Sequence, residues 1–248
     1  MWQGFALSMN AGLNPPSAAG SALPVVWHTL FEFRRRQVTV ISAMEALERL
    51  REGNRRFVSD VRSPAATTGQ TRRSELMAGQ KPFAIMLGCS DSRVPGEIIF
   101  DQGLGELFVI RVAGNIVAPS QIGSVEFAAC LYETPLVVVM GHSMCGAVIT
   151  TLEELERPSG NRSPNLQSIV NRIRPSVEVL LETELHNDPD ALLRHAIRAN
   201  IRASANHLRH GSKILEELIE HGRLLVVGAE YSLETGLVEF FDGLPETA

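Results

Sequence analysis

The sequence predicts an α/β fold in which a mostly parallel central β-sheet is flanked by helices. Four short apolar segments have the length and composition of strands buried on both faces: 83–87, 107–112, 136–140 and 224–227. The stretches between the first three of these segments are of helix length or shorter, such as 123–132. Strands that alternate with helices in this way indicate parallel strands joined by right-handed crossovers.

A helical arm is expected ahead of the sheet. Ser42 can cap a helix over 43–57, in which the apolar side chains recur at helical spacing: Met44, Leu47, Leu50 and Phe57. A loop over 63–69 and a short helix over 71–78 follow. We therefore predict a helical arm over 38–80 and an α/β domain over 81–248.

The C-terminal part of the chain combines a long helical region with one more strand. The stretch 166–221 predicts helix throughout, with one break at Pro189. After the last buried strand, 233–241 is rich in Thr, Val and Phe. We expect it to form an edge strand or hairpin partner.

Composition and charge exclude several classes of protein. The 248 residues are 44% hydrophobic and 21% charged, which is typical of a globular protein and excludes a disordered chain. A net charge of −5 argues against a nucleic-acid-binding domain, which usually has a basic excess. No apolar run approaches the ~20 residues needed to cross a bilayer, so no membrane association is expected. Three cysteines are too few for a disulfide framework, which favours reduced thiols or metal ligands in a cytoplasmic protein.

Residues 1–37 differ from the rest of the chain and are expected to form a disordered leader. Glycine and proline occur there among small residues, without a sustained period. A secretory signal places its basic residues before the apolar stretch, whereas Arg34, Arg35 and Arg36 follow it here. The leader therefore does not predict export.

Two motifs that carry chemistry follow directly after two of the predicted strands. The first is GCSDSRV over 88–94, and the second is GHSMCGA over 141–147. Ligand sites in open parallel sheets lie at the carboxyl ends of the strands. Cys89, His142 and Cys145 supply two thiolates and one imidazole, which is a ligand set of open catalytic zinc sites. If a helix begins at the second motif, the spacing of three would let His142 and Cys145 face one point.

The other candidate residues have simpler interpretations. Cys130, in the helical stretch FAACLY, is expected to be a small core residue. Six histidines outside the motifs are expected to be surface or hydrogen-bonded residues: His28, His186, His195, His207, His210 and His221. Gly103 and Gly105 lack the third glycine of a dinucleotide fingerprint, so a redox or nucleotide enzyme is only weakly indicated.

Asp91 and Arg93 complete the chemistry expected of the first motif. Asp91 can accept a hydrogen bond from hydroxide bound to the zinc, and Arg93 can hold that carboxylate ionised through a bidentate contact. A purely structural zinc site would need a fourth protein ligand, for which only Asp91 is available. Two thiolates leave the site formally neutral, so the zinc should acidify its water less than a three-histidine site does.

The two motifs and the spacer FDQGLGELFVIR between them closely resemble the β-class carbonic anhydrases. The resemblance covers roughly 44–238 and is densest over 80–147. It implies a zinc enzyme that interconverts carbon dioxide and bicarbonate. It further implies a dimer with an exchanged N-terminal helix, often assembled into tetramers. Hydrolysis of carbon disulfide or carbonyl sulfide, which the same fold also supports, is the alternative activity.

The resemblance also implies the residues of a substrate pocket. Gln80 matches a glutamine that donates to the bound substrate, and Phe108 matches an aromatic wall residue. Phe127 stands where plant-like members carry tyrosine, so a hydroxyl contact is lost. The remaining expected pocket residues follow the second strand, and the first two replace an Asn-Val pair: Val112, Ala113 and Gly114.

Two further expectations concern regulation. Members with a regulatory bicarbonate pocket carry tryptophan three residues before the first zinc cysteine, whereas this chain has Met86, which disfavours that pocket. In some members the aspartate of the first motif turns to bind the zinc and expels the water. We predict that Asp91 can do so at low pH, because water is displaced more easily than hydroxide.

Overall fold

A five-stranded sheet forms the centre of the part of the protein that the structure describes. The computed structural model describes residues 41–63, 69–158 and 163–245. The predicted leader and the 64–68 part of the predicted loop lie outside these residues. The strands are β1 (Ala84–Gly88), β2 (Leu107–Arg111), β3 (Leu136–His142), β4 (Leu225–Tyr231) and β5 (Val238–Asp242). Their order is β2-β1-β3-β4-β5, and the first four are parallel while β5 runs antiparallel to β4. The predicted α/β class is confirmed.

Helices connect and flank the strands in the described part of the chain. The α-helices are α1 (Ala43–Val58), α2 (Gln70–Leu76), α3 (Gly96–Ile99), α4 (Pro119–Leu131), α5 (Gly146–Glu156), α6 (Pro164–Val177), α7 (Pro189–His210) and α8 (Lys213–Glu220). Three short 3₁₀ segments lie between them: Ala113–Asn115, Glu178–Glu182 and Glu184–Asn187. No helix of the described residues is long and apolar enough to span a membrane.

The inner strands are buried as predicted, but β2 is not. Every residue of β1 and β3 is buried. The prediction that β2 is buried on both faces is wrong, since only Leu107 is buried and Arg111 is exposed. The reason is the strand order, because β2 lies at the edge of the sheet and has a neighbour on one side only.

The C-terminal helical region has more breaks than the single one predicted at Pro189. Two 3₁₀ segments separate α6 from α7, and Asp188 caps α7 by accepting a hydrogen bond from the Ala191 amide at 3.0 Å. Ser212 caps α8 by accepting from the Leu215 amide at 3.3 Å. Side-chain acceptors at these positions begin new helices. The final segment is an edge strand, as predicted.

Helix α1 begins with a capping box and packs its apolar face on the core. The Ser42 hydroxyl accepts from the Glu45 amide at 3.1 Å, and the Glu45 carboxylate accepts from the Ser42 amide at 2.7 Å. Leu47 and Leu50 are 0% and 1% exposed, whereas Met44 of the predicted apolar stripe is 45% exposed. The α1 helix therefore buries two of these positions within its own chain, and its exchange between subunits stays a prediction.

Replacing Leu50 by alanine should lower the free energy of unfolding by about 3 kcal/mol, because a buried leucine loses its contacts and leaves a cavity. Met44→Ala on the same helix is the matched control and should change it by less than about 0.5 kcal/mol. Chemical denaturation of both variants measures the difference. Equal losses in the two variants would contradict this packing of α1.

Candidate metal centre

Three side chains with metal-binding atoms meet at the carboxyl ends of β1 and β3. Cys89 directly follows β1, His142 is the last residue of β3, and Cys145 precedes α5 as its N-cap. Their ligand atoms all lie within 4.8 Å of one another. The three residues are 5%, 0% and 1% exposed. Two neighbouring strands and one helix start thus place two sulfurs and one ring nitrogen around one point.

His142 and Cys145 do not lie on one helix, as their spacing of three had suggested. His142 belongs to the strand, and α5 begins only at Gly146. The chain turns between them through Met144, whose φ is 56°. The two side chains therefore converge through a strand–turn–helix connection, and the helical spacing is not what brings them together.

The imidazole of His142 is oriented to bind a metal. Its Nδ1 lies 2.9 Å from the carbonyl oxygen of Ser143, and because a carbonyl only accepts, Nδ1 carries the proton. The Nε2 atom is buried and has no hydrogen-bond partner. An unpartnered, buried nitrogen is costly unless its lone pair is used, and it lies here beside two thiols. The donor set therefore fits a zinc ion.

The sulfur of Cys89 lies in surroundings that favour the thiolate. The amides of Asp91 and Gly114 approach its Sγ at 3.5 and 3.4 Å. Hydrogen bonding from Cys145 lowers the pKa of the Cys89 thiol below its ordinary value. Thiolate is the form that binds metals. At least one of the two sulfurs is thus readily ionised within this group.

Asp91 is held by Arg93 beside the metal-binding group. The Arg93 side chain donates to Oδ1 at 2.9 Å and to Oδ2 at 2.7 Å, and its amide donates to Oδ1 at 3.0 Å. These contacts keep the pKa of the Asp91 carboxyl well below its usual range. Oδ2 also lies 3.9 Å from the Nε2 of His142. An ionised carboxylate of fixed orientation therefore stands next to the cluster.

The expected pocket residues divide into two groups. Gly114 lies beside the Cys–His–Cys group, because its amide contacts the Cys89 sulfur. Val112 and Ala113 directly precede Gly114 in the chain. By contrast, Phe108 pairs with Ile85 in the sheet. Ile85 lies four residues before Cys89, about 13 Å along the strand. The structure therefore does not bring Phe108 to the metal-binding atoms of its own chain.

Gln80 and Phe127 lie with Phe108 at this distant end of the sheet. The rings of Phe108 and Phe127 are 6.3 Å apart, and Phe127 is 43% exposed. Tyr132 joins them with an edge-on contact to Phe127 at 5.8 Å, and its hydroxyl accepts a hydrogen bond from Gln80 at 2.9 Å. We call Phe108, Phe127 and Tyr132, together with Gln80, the aromatic cluster. Sequence reasoning missed Tyr132, because a tyrosine at a helix end carries no motif.

The other residues considered in the sequence analysis lie outside the Cys–His–Cys group. Met86 is 2% exposed and its thioether fills the space beside the Cα of Gly96. Cys130 is half-buried against the core. The described histidines outside the motifs are exposed: His186, His195, His207, His210 and His221. His28 lies outside the described residues.

Comparison with known proteins gives one consistent family. A family model described as carbonic anhydrase matches residues 84–238. Carbonic anhydrase 2 of Mycobacterium tuberculosis is 38% identical over 194 residues, which cover 77% of this chain and 89% of that protein. A carbonic anhydrase of Mycolicibacterium smegmatis is 36% identical over 197 residues, covering 78% of this chain and 91% of that one.

Solved structures agree with the sequence matches. The β-carbonic anhydrase CcaA superposes with a TM-score of 0.65 at 27% identity, covering 79% of this chain and 95% of that chain. A structure from a study of two tetrameric β-carbonic anhydrases of Sordaria macrospora has a TM-score of 0.61 at 25% identity, covering 68% and 85%. The family model spans the Cys–His–Cys group and the strands from β1 to β4.

Proposed function

The chain belongs to the family of β-class carbonic anhydrases, and we propose that it hydrates carbon dioxide reversibly through a zinc ion held by Cys89, His142 and Cys145. The observation that carries the zinc proposal is the buried, unpartnered Nε2 of His142 facing two thiols. Nothing in the comparisons supports the alternative, hydrolysis of carbon disulfide or carbonyl sulfide. A cytoplasmic location stays a prediction from composition.

Cys89, His142 and Cys145 would hold the zinc ion, which when bound would supply the nucleophile by acidifying a coordinated water. Asp91 would accept a hydrogen bond from that nucleophile, while Arg93 keeps the carboxylate ionised and fixed in orientation. Val112, Ala113 and Gly114 would line the approach for a small apolar substrate.

The aromatic cluster does not reach the metal-binding group of its own chain. Within one chain it lies toward the amino ends of the strands, whereas Cys89 and His142 lie at the carboxyl ends. Its exposed Phe127 is available for contact. The Sordaria macrospora proteins are tetrameric by their description. We therefore propose an oligomer in which Gln80, Phe108 and Phe127 of one copy complete the pocket of another.

Mixing two defective variants tests this shared pocket. His142→Ala removes the metal site, and Gln80→Ala removes the donor to the substrate, so each homo-oligomer should be weak. Random mixed dimers contain one complete site in half of the molecules, which should restore about a quarter of wild-type activity. Activity is measured after refolding the variants together. A mixture no more active than the mean of its two components would contradict the shared pocket.

Metal analysis tests the zinc proposal directly. Protein purified without added metal should contain close to one zinc per chain, because the described residues contain one Cys–His–Cys group. Cys130→Ser is the matched control and should leave the zinc content unchanged, since Cys130 lies outside the group. A preparation active in carbon dioxide hydration but free of zinc would contradict the proposal.

A further inference from the structure

The geometry points to Arg111 as a positioning residue of the metal centre, a role that rests on the proposed zinc site. Its guanidinium donates from Nε to the carbonyl oxygen of Cys89 at 3.0 Å, and from Nη2 to the carbonyl oxygen of Asp91 at 2.5 Å. One rigid, planar group thus contacts the backbone of both a metal ligand and the residue beside the metal.

The strand register explains how Arg111 reaches these carbonyls. Arg111 is the last residue of β2 and pairs with Gly88, the last residue of β1. The chain after Gly88 forms the loop that carries Cys89 and Asp91. The arginine side chain extends across the end of β1 and donates to two carbonyls of that loop.

The consequence is a fixed spacing between two functional side chains. The guanidinium fork has a fixed geometry, so binding both carbonyls sets the peptide of Cys89 relative to that of Asp91. The Cys89 sulfur and the Asp91 carboxylate project from these two peptides. Small errors in ligand placement weaken metal sites, and residues that orient ligands typically change affinity or activity by about 10–100-fold when replaced.

Other contacts hold the same loop, which limits the expected effect. The Ser90 amide donates to the Val112 carbonyl at 3.3 Å, and the Val112 amide donates to the Gly88 carbonyl at 3.1 Å. These backbone bonds keep the loop attached to the residue that follows β2 without Arg111. They do not reach the Cys89 carbonyl, whereas the Asp91 carbonyl also accepts from the Val94 amide at 3.1 Å. Loss of the arginine should therefore loosen the loop around Cys89 rather than unfold it.

A surface ion pair is the competing explanation for this arginine, and the contacts do not favour it. Among the ion pairs found between described residues, none includes Arg111. Its side chain donates instead to two main-chain carbonyls. Arg55 provides the contrast, because its side chain is 62% exposed and forms an ion pair with a surface glutamate, Glu48.

Zinc affinity measured against a chromophoric chelator tests the inference. Arg111→Met should bind zinc about tenfold or more weakly, and Arg111→Lys should fall between it and the wild type, because a lysine ammonium cannot bind both carbonyls as a fork does. The absorption spectrum of cobalt-substituted Arg111→Met should differ from that of the wild type. Arg55→Met is the control and should match the wild type in both measurements.

Thermal unfolding of the metal-free proteins separates positioning from a general structural role. A positioning role leaves the metal-free melting temperature of Arg111→Met close to the wild-type value while affinity falls. Unchanged zinc affinity and cobalt spectrum would overturn the inference, whatever the melting temperature, and leave the proposed function intact. Wild-type protein that fails to bind zinc would overturn both. If Arg111→Met does not fold, Arg111→Lys decides by the same affinity and spectral criteria.

Discussion

Replacing His142 by alanine is expected to remove zinc and carbon dioxide hydration together. The imidazole supplies the only nitrogen of the Cys–His–Cys group in the described residues, and its loss leaves two ligands for a tetrahedral metal. A metal held by two protein ligands exchanges with solvent and chelators, so most of the zinc should be absent after purification. Activity should fall to the background rate for the same reason.

Metal content and stopped-flow hydration on the same preparation measure this effect. His195→Ala is the matched control, because His195 is exposed on α7 outside the cluster, and it should retain full zinc and full activity. Cys145→Ala should behave like His142→Ala. A His142→Ala variant with one zinc per chain and wild-type activity would remove the assignment of the site.

Replacing Arg93 by alanine is the second large effect, with an expected loss of activity on the order of 100-fold. The cause is orientation rather than protonation. Arg93 holds the pKa of Asp91 below its ordinary value of 3.8, so removing it raises that pKa toward 3.8. Asp91 therefore stays ionised at neutral pH in the variant, but its carboxylate is free to turn.

A free carboxylate next to the proposed zinc could itself become a ligand in place of the water. The Asp91 Oδ2 already lies 3.9 Å from the Nε2 of His142, and Arg93 is the group that holds it by three hydrogen bonds. Cobalt-substituted Arg93→Ala should therefore show a changed absorption spectrum across pH 6 to 9. Asp91→Asn should lose activity without this change, since a neutral amide is a poor zinc ligand. An Arg93→Ala spectrum identical to that of the wild type would contradict the competition.

Local signals were sufficient for the inner sheet and for the metal-binding group. β1 and β3 are continuous apolar runs, and each is followed directly by a motif with ligand side chains. The carboxyl ends of parallel strands lie at the same edge of a sheet, so motifs that follow them directly come to that edge. The convergence of Cys89 and His142 therefore follows from features within a few residues of each.

Other features depend on contacts between distant segments and were not predictable in this way. The exposure of β2 follows from its edge position, which crossovers set and residue pattern does not. The hydrogen bond between Gln80 and Tyr132 joins residues 52 apart, and the contacts of Arg111 join residues 20 and 22 apart. The local sequence around Tyr132 and Arg111 carries no motif, so their contacts become visible only in the folded chain.

Titration of metal-free protein with zinc, followed by stopped-flow carbon dioxide hydration, tests the central claim most directly. The account predicts that activity rises in proportion to added zinc and stops rising at one equivalent per chain, and that metal-free His142→Ala gains nothing. Full hydration activity before any zinc is added, or an equal rise in activity in His142→Ala, would contradict it.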